Sequence, residues 1–247
     1  MSGHSHYATI KRQKEQKDAQ KGKIFSKLAK EIAIAVKAAG PDPNSNFKLR
    51  VVIDKARAAN MPKENVERAI SSGSSSAANL EEVTYEGFGP SGIAVMVIAA
   101  TDNRNRTGQE IKNLFDRAGG NLTGPGSVSF NFENKGFMLL EKKPDTDAQT
   151  LSLIDLGVED IEDTEDGLEV YVAPASLSEM RKKLEEAGNT ITSTELYMKP
   201  KVFQEISNPS AAKSALNFLD ALNDQEDAQK VYTNLDIPED VLTQIAP

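Results

Sequence analysis

The hydrophobic period of this chain changes at Ser71-Ser-Gly-Ser-Ser-Ser76, and the change limits what each side can fold into. Before it, apolar residues recur at helical spacing; after it come short runs bounded by Gly, Pro, Asn and Asp, the pattern of strands. In the segment from Lys23 to Gly40, Phe25, Leu28, Ala29, Ile32 and Val36 form one apolar stripe, with Lys23, Lys27, Lys30 and Lys37 on the opposite face. Gly40-Pro41 is a strong helix stop. A further helix from near Ser45 packs through Leu49, Val52, Ile53 and Ala56 and ends at Asn60-Met61-Pro62, where Pro62 opens another helix reaching Ile70. The serine-rich run that follows is a flexible linker by composition. Upstream, residues 11–21 have no apolar face. Lys11, Lys14, Lys17 and Lys21 share one stripe there, so this arm bridges solvent or orders on a partner.

Charge follows the same division. Residues 1–76 carry 15 Lys+Arg against 7 Asp+Glu, a net of +8, while the other 171 carry 14 against 30, a net of −16. A basic end on an acidic body is the electrostatic footprint of nucleic-acid binding confined to that end. The competing reading is a solvated lysine-rich helical surface. The absence of cysteine rules out disulfides, thiolate metal sites and a cysteine nucleophile. The longest apolar run, Gly92 to Ala100, is too short to span a bilayer, and the polar first residues hold no signal core, which points to the cytoplasm.

After the linker, strands are expected at Glu82–Glu86 and Ile93–Thr101, joined across Gly87-Phe-Gly-Pro-Ser-Gly92. Thr107-Gly-Gln-Glu110 reads as a capping box opening a helix through Ile111, Leu114 and Phe115, with a strand near Ser127–Phe132 beyond it. Residues 136–199 read β-α-β-β-α-β, the order of the ferredoxin-like unit. A strand at Lys201–Ile206, a helix Ser210–Leu222 and a strand Gln229–Asn234 complete a second set of that kind, into which 136–199 is inserted. The expected fold is therefore α+β with three domains. These are a basic helical domain (1–78), a discontinuous ferredoxin-like α/β domain (79–135 with 200–247) and an inserted ferredoxin-like domain (136–199).

No catalytic constellation emerges. Both histidines, His4 and His6, stand at an end without predicted structure, which leaves a histidine-based triad without support. With Met1 removed, His4 becomes the third residue of Ser-Gly-His, an arrangement able to hold Cu(II) or Ni(II); such ends also arise by chance, and no metal site is assigned. Residues 87–92 lack the Lys-Ser/Thr of a phosphate loop and contain Pro90, so the turn reading prevails. The acidic run Glu159–Glu169 fails as a calcium loop, because aligning Gly167 with its glycine puts Thr164 and Ala173 at ligand positions. Thr101-Asp-Asn-Arg-Asn-Arg-Thr107 is more suggestive. It sets Arg104 and Arg106 just before a helix N-terminus, where guanidinium and free N–H groups together suit a phosphate or carboxylate. Alternatively, the arginines pair with acidic neighbours.

Together, these segments resemble the YebC/PmpR family, whose mitochondrial relatives are translational activators. The resembling residues are Gly3-His4-Ser5, Gly22-Lys-Ile-Phe25, Asn60-Met-Pro62, Tyr85-Glu-Gly87, Asp102-Asn-Arg-Asn-Arg-Thr107, Gly119-Gly-Asn-Leu122, Gly126-Ser-Val128 and Val231-Tyr-Thr-Asn234. The resemblance covers essentially the whole chain. It implies three domains, no enzymatic activity, no cofactor and no small-molecule substrate. It further implies either a DNA-binding transcriptional regulator or a ribosome-associated factor that binds ribosomal RNA and relieves stalled elongation. A protein-binding adaptor using the acidic sheets is the third alternative. The expected phosphate contacts are Lys11, Arg12, Lys14, Lys17, Lys21, Lys23, Lys27, Lys30, Lys55 and Arg57. Arg104 and Arg106 form a second contact, and His6 and Tyr7 stack on an exposed base. Where the family usually carries Lys-Trp after Gly-His-Ser, this chain has His6-Tyr7, which keeps an aromatic and loses a lysine. No helix-turn-helix with Arg, Asn or Gln facing a groove is evident, so sequence-specific base readout lacks direct support.

Overall fold

The computed structural model describes residues 21–75 and 79–245. Three helices come first, α1 (Lys21–Ala39), α2 (Phe47–Ala58) and α3 (Lys63–Ser74). They enclose a core of Leu28, Ile32, Val36, Leu49, Val52, Ile53, Met61 and Val66, to which each fully buried aliphatic side chain contributes about 1.5–3 kcal/mol. The turn into α2 is built by Asn46. Its side-chain oxygen accepts from Leu49 N at 3.0 Å, while its amide donates to the carbonyls of Ala35 and Gly40 at 2.8 Å each. One side chain thus caps α2 and satisfies carbonyls at the end of α1.

Helix α3 runs past Ile70 to Ser74, so most of the serine-rich segment is helical rather than linker. Packing overrides composition there, since Gly73 is buried against α1. A Cβ on it would lie 2.6 Å from Ala33 O and 2.8 Å from Val36 Cβ, so the missing side chain is what lets the two backbones meet.

Beyond this helical part, β1 (Glu81–Phe88) and β2 (Ala94–Thr101) form an antiparallel hairpin, followed by α4 (Arg104–Arg117) and β3 (Asn121–Thr123). The chain then makes β4 (Phe132–Leu140), α5 (Thr146–Asp155), β5 (Asp160–Thr164), β6 (Gly167–Val172), α6 (Leu177–Glu186) and β7 (Ile191–Pro200). It returns through β8 (Gln204–Glu205), α7 (Pro209–Asp224), β9 (Ala228–Thr233), β10 (Leu235–Asp236) and α8 (Glu239–Ile245).

Two compact units result, one formed by Phe132–Lys201 and the other by the described residues on either side of it in sequence. The Phe132–Lys201 unit is an antiparallel sheet in the order β5-β6-β4-β7 with α5 and α6 as its connections. The middle strands bury Met138, Leu140, Leu168, Val170 and Val172, and the helices bury Leu153, Leu177 and Leu184.

In the other unit the sheet order is β3-β1-β2-β9. Its core joins Val95, Val97, Ile111 and Phe115 to Ala215, Phe218, Leu219 and Leu222 of α7, with the Phe115 and Phe218 rings edge to face at 4.9 Å. Two expected strands differ. Residues 127–131 form no strand because the backbone N–H groups of Gly126, Val128 and Ser129 all point at the Glu86 carboxylate, at 2.8–2.9 Å. Asn121–Thr123 pairs with β1 instead, and Phe132 opens the long β4 of the neighbouring sheet. Burial alone would raise the Glu86 carboxyl; the three backbone donors outweigh it and hold the group below its ordinary range. The strand expected over 201–206 shrinks to β8, paired in parallel with β10.

Candidate nucleic-acid interface

Lys11, Arg12, Lys14 and Lys17, with His6 and Tyr7, lie outside the described residues. The remaining site residues divide into two groups. Lys21, Lys55, Arg57 and Arg104 are exposed. Lys55 pairs with Glu31 at 3.4 Å and Arg57 with Asp54 at 3.3 Å, contacts weak enough to yield to a phosphate. Arg68 of α3 is exposed as well, on a helix whose other outward residues include Glu64 and Glu67.

Lys23, Lys27 and Lys30 are engaged within the protein. With Ile34 and Lys37 they recur every three or four residues on one stripe of α1, and that stripe lies on the α/β part. Lys23 Nζ meets Asp224 Oδ1 at 2.9 Å. Lys27 Nζ donates to the carbonyls of Asn223 and Ala228, both at 2.6 Å. Lys30 Nζ meets Asp227 Oδ1 at 2.7 Å, Ile34 is buried, and Lys37 Nζ donates to Leu80 O at 2.9 Å. Lys48 on α2 adds a pair with Glu82 at 2.9 Å. The sequence contained one sign of this arrangement: Ile34 interrupts the lysine face, and an apolar residue is out of place on a wholly solvated stripe.

Asp227 is the centre of the contact. Its side chain is only 2% exposed. Oδ2 accepts from Thr107 Oγ1 at 2.6 Å and from Arg106 Nη2 at 2.8 Å, while Oδ1 takes Lys30. Gln225 supports the turn by accepting from the backbone N–H groups of Asp227 and Ala228 at 2.7 Å, and its amide donates to Glu110 at 2.8 Å. Burial alone would raise the Asp227 carboxyl, but Lys30, Thr107 and Arg106 hold it down to about 2. Lys27 shows the opposite balance. Burial, with Lys23 nearby, lowers its ammonium to about 8, and Asp224 only partly opposes this.

Arg104 and Arg106 stand differently from expectation. Helix α4 starts at Arg104, capped by the Asn103 side chain, which accepts from Arg106 N at 3.1 Å. Thr107 is therefore inside the first turn, and its hydroxyl serves Asp227 rather than the helix end. Asn103 takes the cap in an extended backbone conformation, its side-chain oxygen serving a free N–H of the first turn one turn before Thr107. Arg106 is tied to Asp102 and Asp227, whereas the Arg104 carbonyl accepts from Tyr85 Oη at 3.0 Å and its side chain is exposed.

Asp224 and Asp227 were not singled out by sequence reasoning, because nothing local distinguishes them from the other acids of the body. Among the described residues no group of His, Cys, Asp and Glu is arranged to hold a metal, and no helix is long and apolar enough to cross a membrane.

A basic three-helix element joined by lysine contacts to an α/β body that carries an inserted α/β unit defines a modular, multidomain class of protein. The chain belongs to the TACO1/YebC family. Residues 5–76 match the family's N-terminal domain and residues 80–235 match its second and third domains. A relative from Dictyoglomus turgidum, described as a "probable transcriptional regulatory protein", is 45% identical over the whole of both chains. Another of that description, from Acetivibrio thermocellus, is 46% identical over 95% of this chain and 98% of its own. The crystal structure of a conserved hypothetical protein from Aquifex aeolicus superposes with a TM-score of 0.83 at 41% identity, covering 90% of this chain and 93% of that one.

Proposed function

We propose that the protein is a non-enzymatic, nucleic-acid-binding regulator acting as a DNA-binding transcriptional regulator. The observation that carries this reading is the segregation of charge, +8 over residues 1–76 against −16 over the rest. Such a distribution brings a phosphate backbone to one end and repels it from the other. The description of the relatives as probable transcriptional regulatory proteins supports it. The interface comprises the basic arm with Lys11, Arg12, Lys14 and Lys17, the adjoining Lys21, and Lys55 and Arg57 on α2. Arg104 is a second contact, and His6 and Tyr7 stack.

One observation favours a second reading, a ribosome-associated factor that contacts ribosomal RNA. Helix α3, which follows α2 after a short turn as a recognition helix would, exposes Glu64 and Glu67. Carboxylates there oppose entry into a groove, so binding by backbone and shape suits the surface better than base readout.

The test is a salt titration of the full chain and of a triple charge reversal at Lys11, Lys14 and Lys17. If about six phosphates are neutralised, log K against log salt has a slope near −5 on duplex DNA, and the reversal makes it shallower by about 3. Equal affinity at low and high salt defeats the reading. Competition between a regulated promoter and unrelated duplexes then separates the two alternatives. Discrimination of ~1000-fold or more supports the transcriptional one. Little discrimination, with preference for ribosomal RNA, supports the translational one.

A further inference from the structure

We propose that the joint between α1 and the α7–β9 turn is an autoinhibitory latch. In it, Asp224, Asp227 and the carbonyls of Asn223 and Ala228 occupy α1 lysines that a nucleic-acid phosphate backbone takes over when the joint opens. The inference rests on the reading of this protein as a nucleic-acid binder and adds a mode of regulation to it.

Three observations carry it. First, the joint is made by cations. Lys23, Lys27, Lys30, Lys37 and Lys48 each reach a carboxylate or carbonyl of the α/β part. Second, the helical part and the α/β part have separate hydrophobic cores, one of Leu28, Ile32, Leu49 and Val52 and the other of Val95, Ile111, Phe115 and Leu219. Along the docking stripe of α1, Ile34 is the one buried apolar side chain, so lysines make most of that stripe's contacts. Third, the seat offers what a phosphate backbone offers. Two carboxylates and two carbonyl oxygens near the C-terminal, negative end of α7 stand opposite lysines spaced i, i+4 and i+7. A strand of phosphates satisfies the same ammonium groups without requiring Lys27 to stay desolvated. The contact at Asp224 is the weaker part of the seat, since its side chain is 53% exposed, and Asp227 is the firmer part.

The chain has no cysteine, so a Lys23→Cys, Asp224→Cys pair can be bridged selectively by a short bismaleimide. Binding of the full-length variant to a fluorescent single-stranded RNA and to a duplex DNA of equal length is measured by anisotropy before and after bridging, across a salt series. The latch requires that bridging weaken binding by about fivefold or more and make the salt slope shallower by about 2, because Lys27 and Lys30 stay in their seat. An independent variant, Asp224→Asn, tightens binding about threefold, whereas the charge-matched Asp240→Asn on α8 leaves it unchanged. If the bridged and unbridged forms bind alike with the same slope, the latch is overturned while nucleic-acid binding stands. If the unmodified protein binds neither probe at low salt, the proposed function itself fails and the latch falls with it.

Discussion

At the scale of single residues, Asp227 shows how one carboxylate ties three parts of the chain together. Lys30 reaches it from α1, and Arg106 and Thr107 reach it from α4. Asp227→Asn keeps the volume and removes the charge, leaving Lys30 and Arg106 without their shared anion. Both cations retain some access to water, with 22% and 46% exposure, so the loss falls below that of a fully buried pair, at about 2–3 kcal/mol. Urea denaturation at neutral pH measures it. The sign of the pH dependence follows from the lowered carboxyl. A group ionising near 2 when folded and near 3.8 when unfolded stabilises the fold above about pH 4 and ceases to do so as pH falls through 2. The gap in stability between wild type and Asp227→Asn therefore closes from about pH 4 to about pH 2. A gap that stays constant over that window would mean the ionised carboxylate is not the source of the effect.

At the scale of elements, α3 and α1 depend on a side chain that is absent. Gly73→Ala places a methyl 2.6–2.8 Å from Ala33 and Val36, and the nearest of these atoms is backbone that cannot rotate away. The helices must separate, at a cost of about 1–3 kcal/mol, with loss visible in thermal denaturation. Ser71→Ala, exposed on the same helix, serves as a control and stays within about 0.5 kcal/mol of wild type. Boundaries of this kind were partly legible. Gly40 and Asn60 followed helix ends, and Pro62 led into the next helix, close to where expected, because their backbone preferences are local. The extension of α3 to Ser74 was not, since serine-rich composition describes an isolated segment and not one pressed onto a neighbour.

At the scale of the whole molecule, the inserted unit leaves and re-enters at adjacent points. The Asn131 side chain donates to Val202 O at 3.0 Å and accepts from Val202 N at 3.2 Å, while Asn234 donates to the same carbonyl at 3.1 Å. Replacing Phe132–Lys201 by a short Gly-Ser linker closes a gap that these hydrogen bonds already span. The shortened chain is expected to unfold in one cooperative transition with its remaining helical signal intact. A broad, non-cooperative melt would show that the flanking segments need the insertion in order to fold.

What the residues determined unaided is the kind and order of most of the elements and the segregation of charge. The helical period of residues 23–70, the βαββαβ order of 136–199 and the basic end all arise from neighbours in sequence, where spacing is the physics. The tertiary structure alone decided the partners. It set Lys23 and Lys30 on acids and Lys27 on two backbone carbonyls, all some two hundred positions distant, gave the cap of α4 to Asn103, and drew the N–H groups of Gly126, Val128 and Ser129 onto Glu86. A lysine's charge is written in the sequence. Which anion it meets depends on where the fold brings a carboxylate within about 3 Å, and no local pattern encodes that distance.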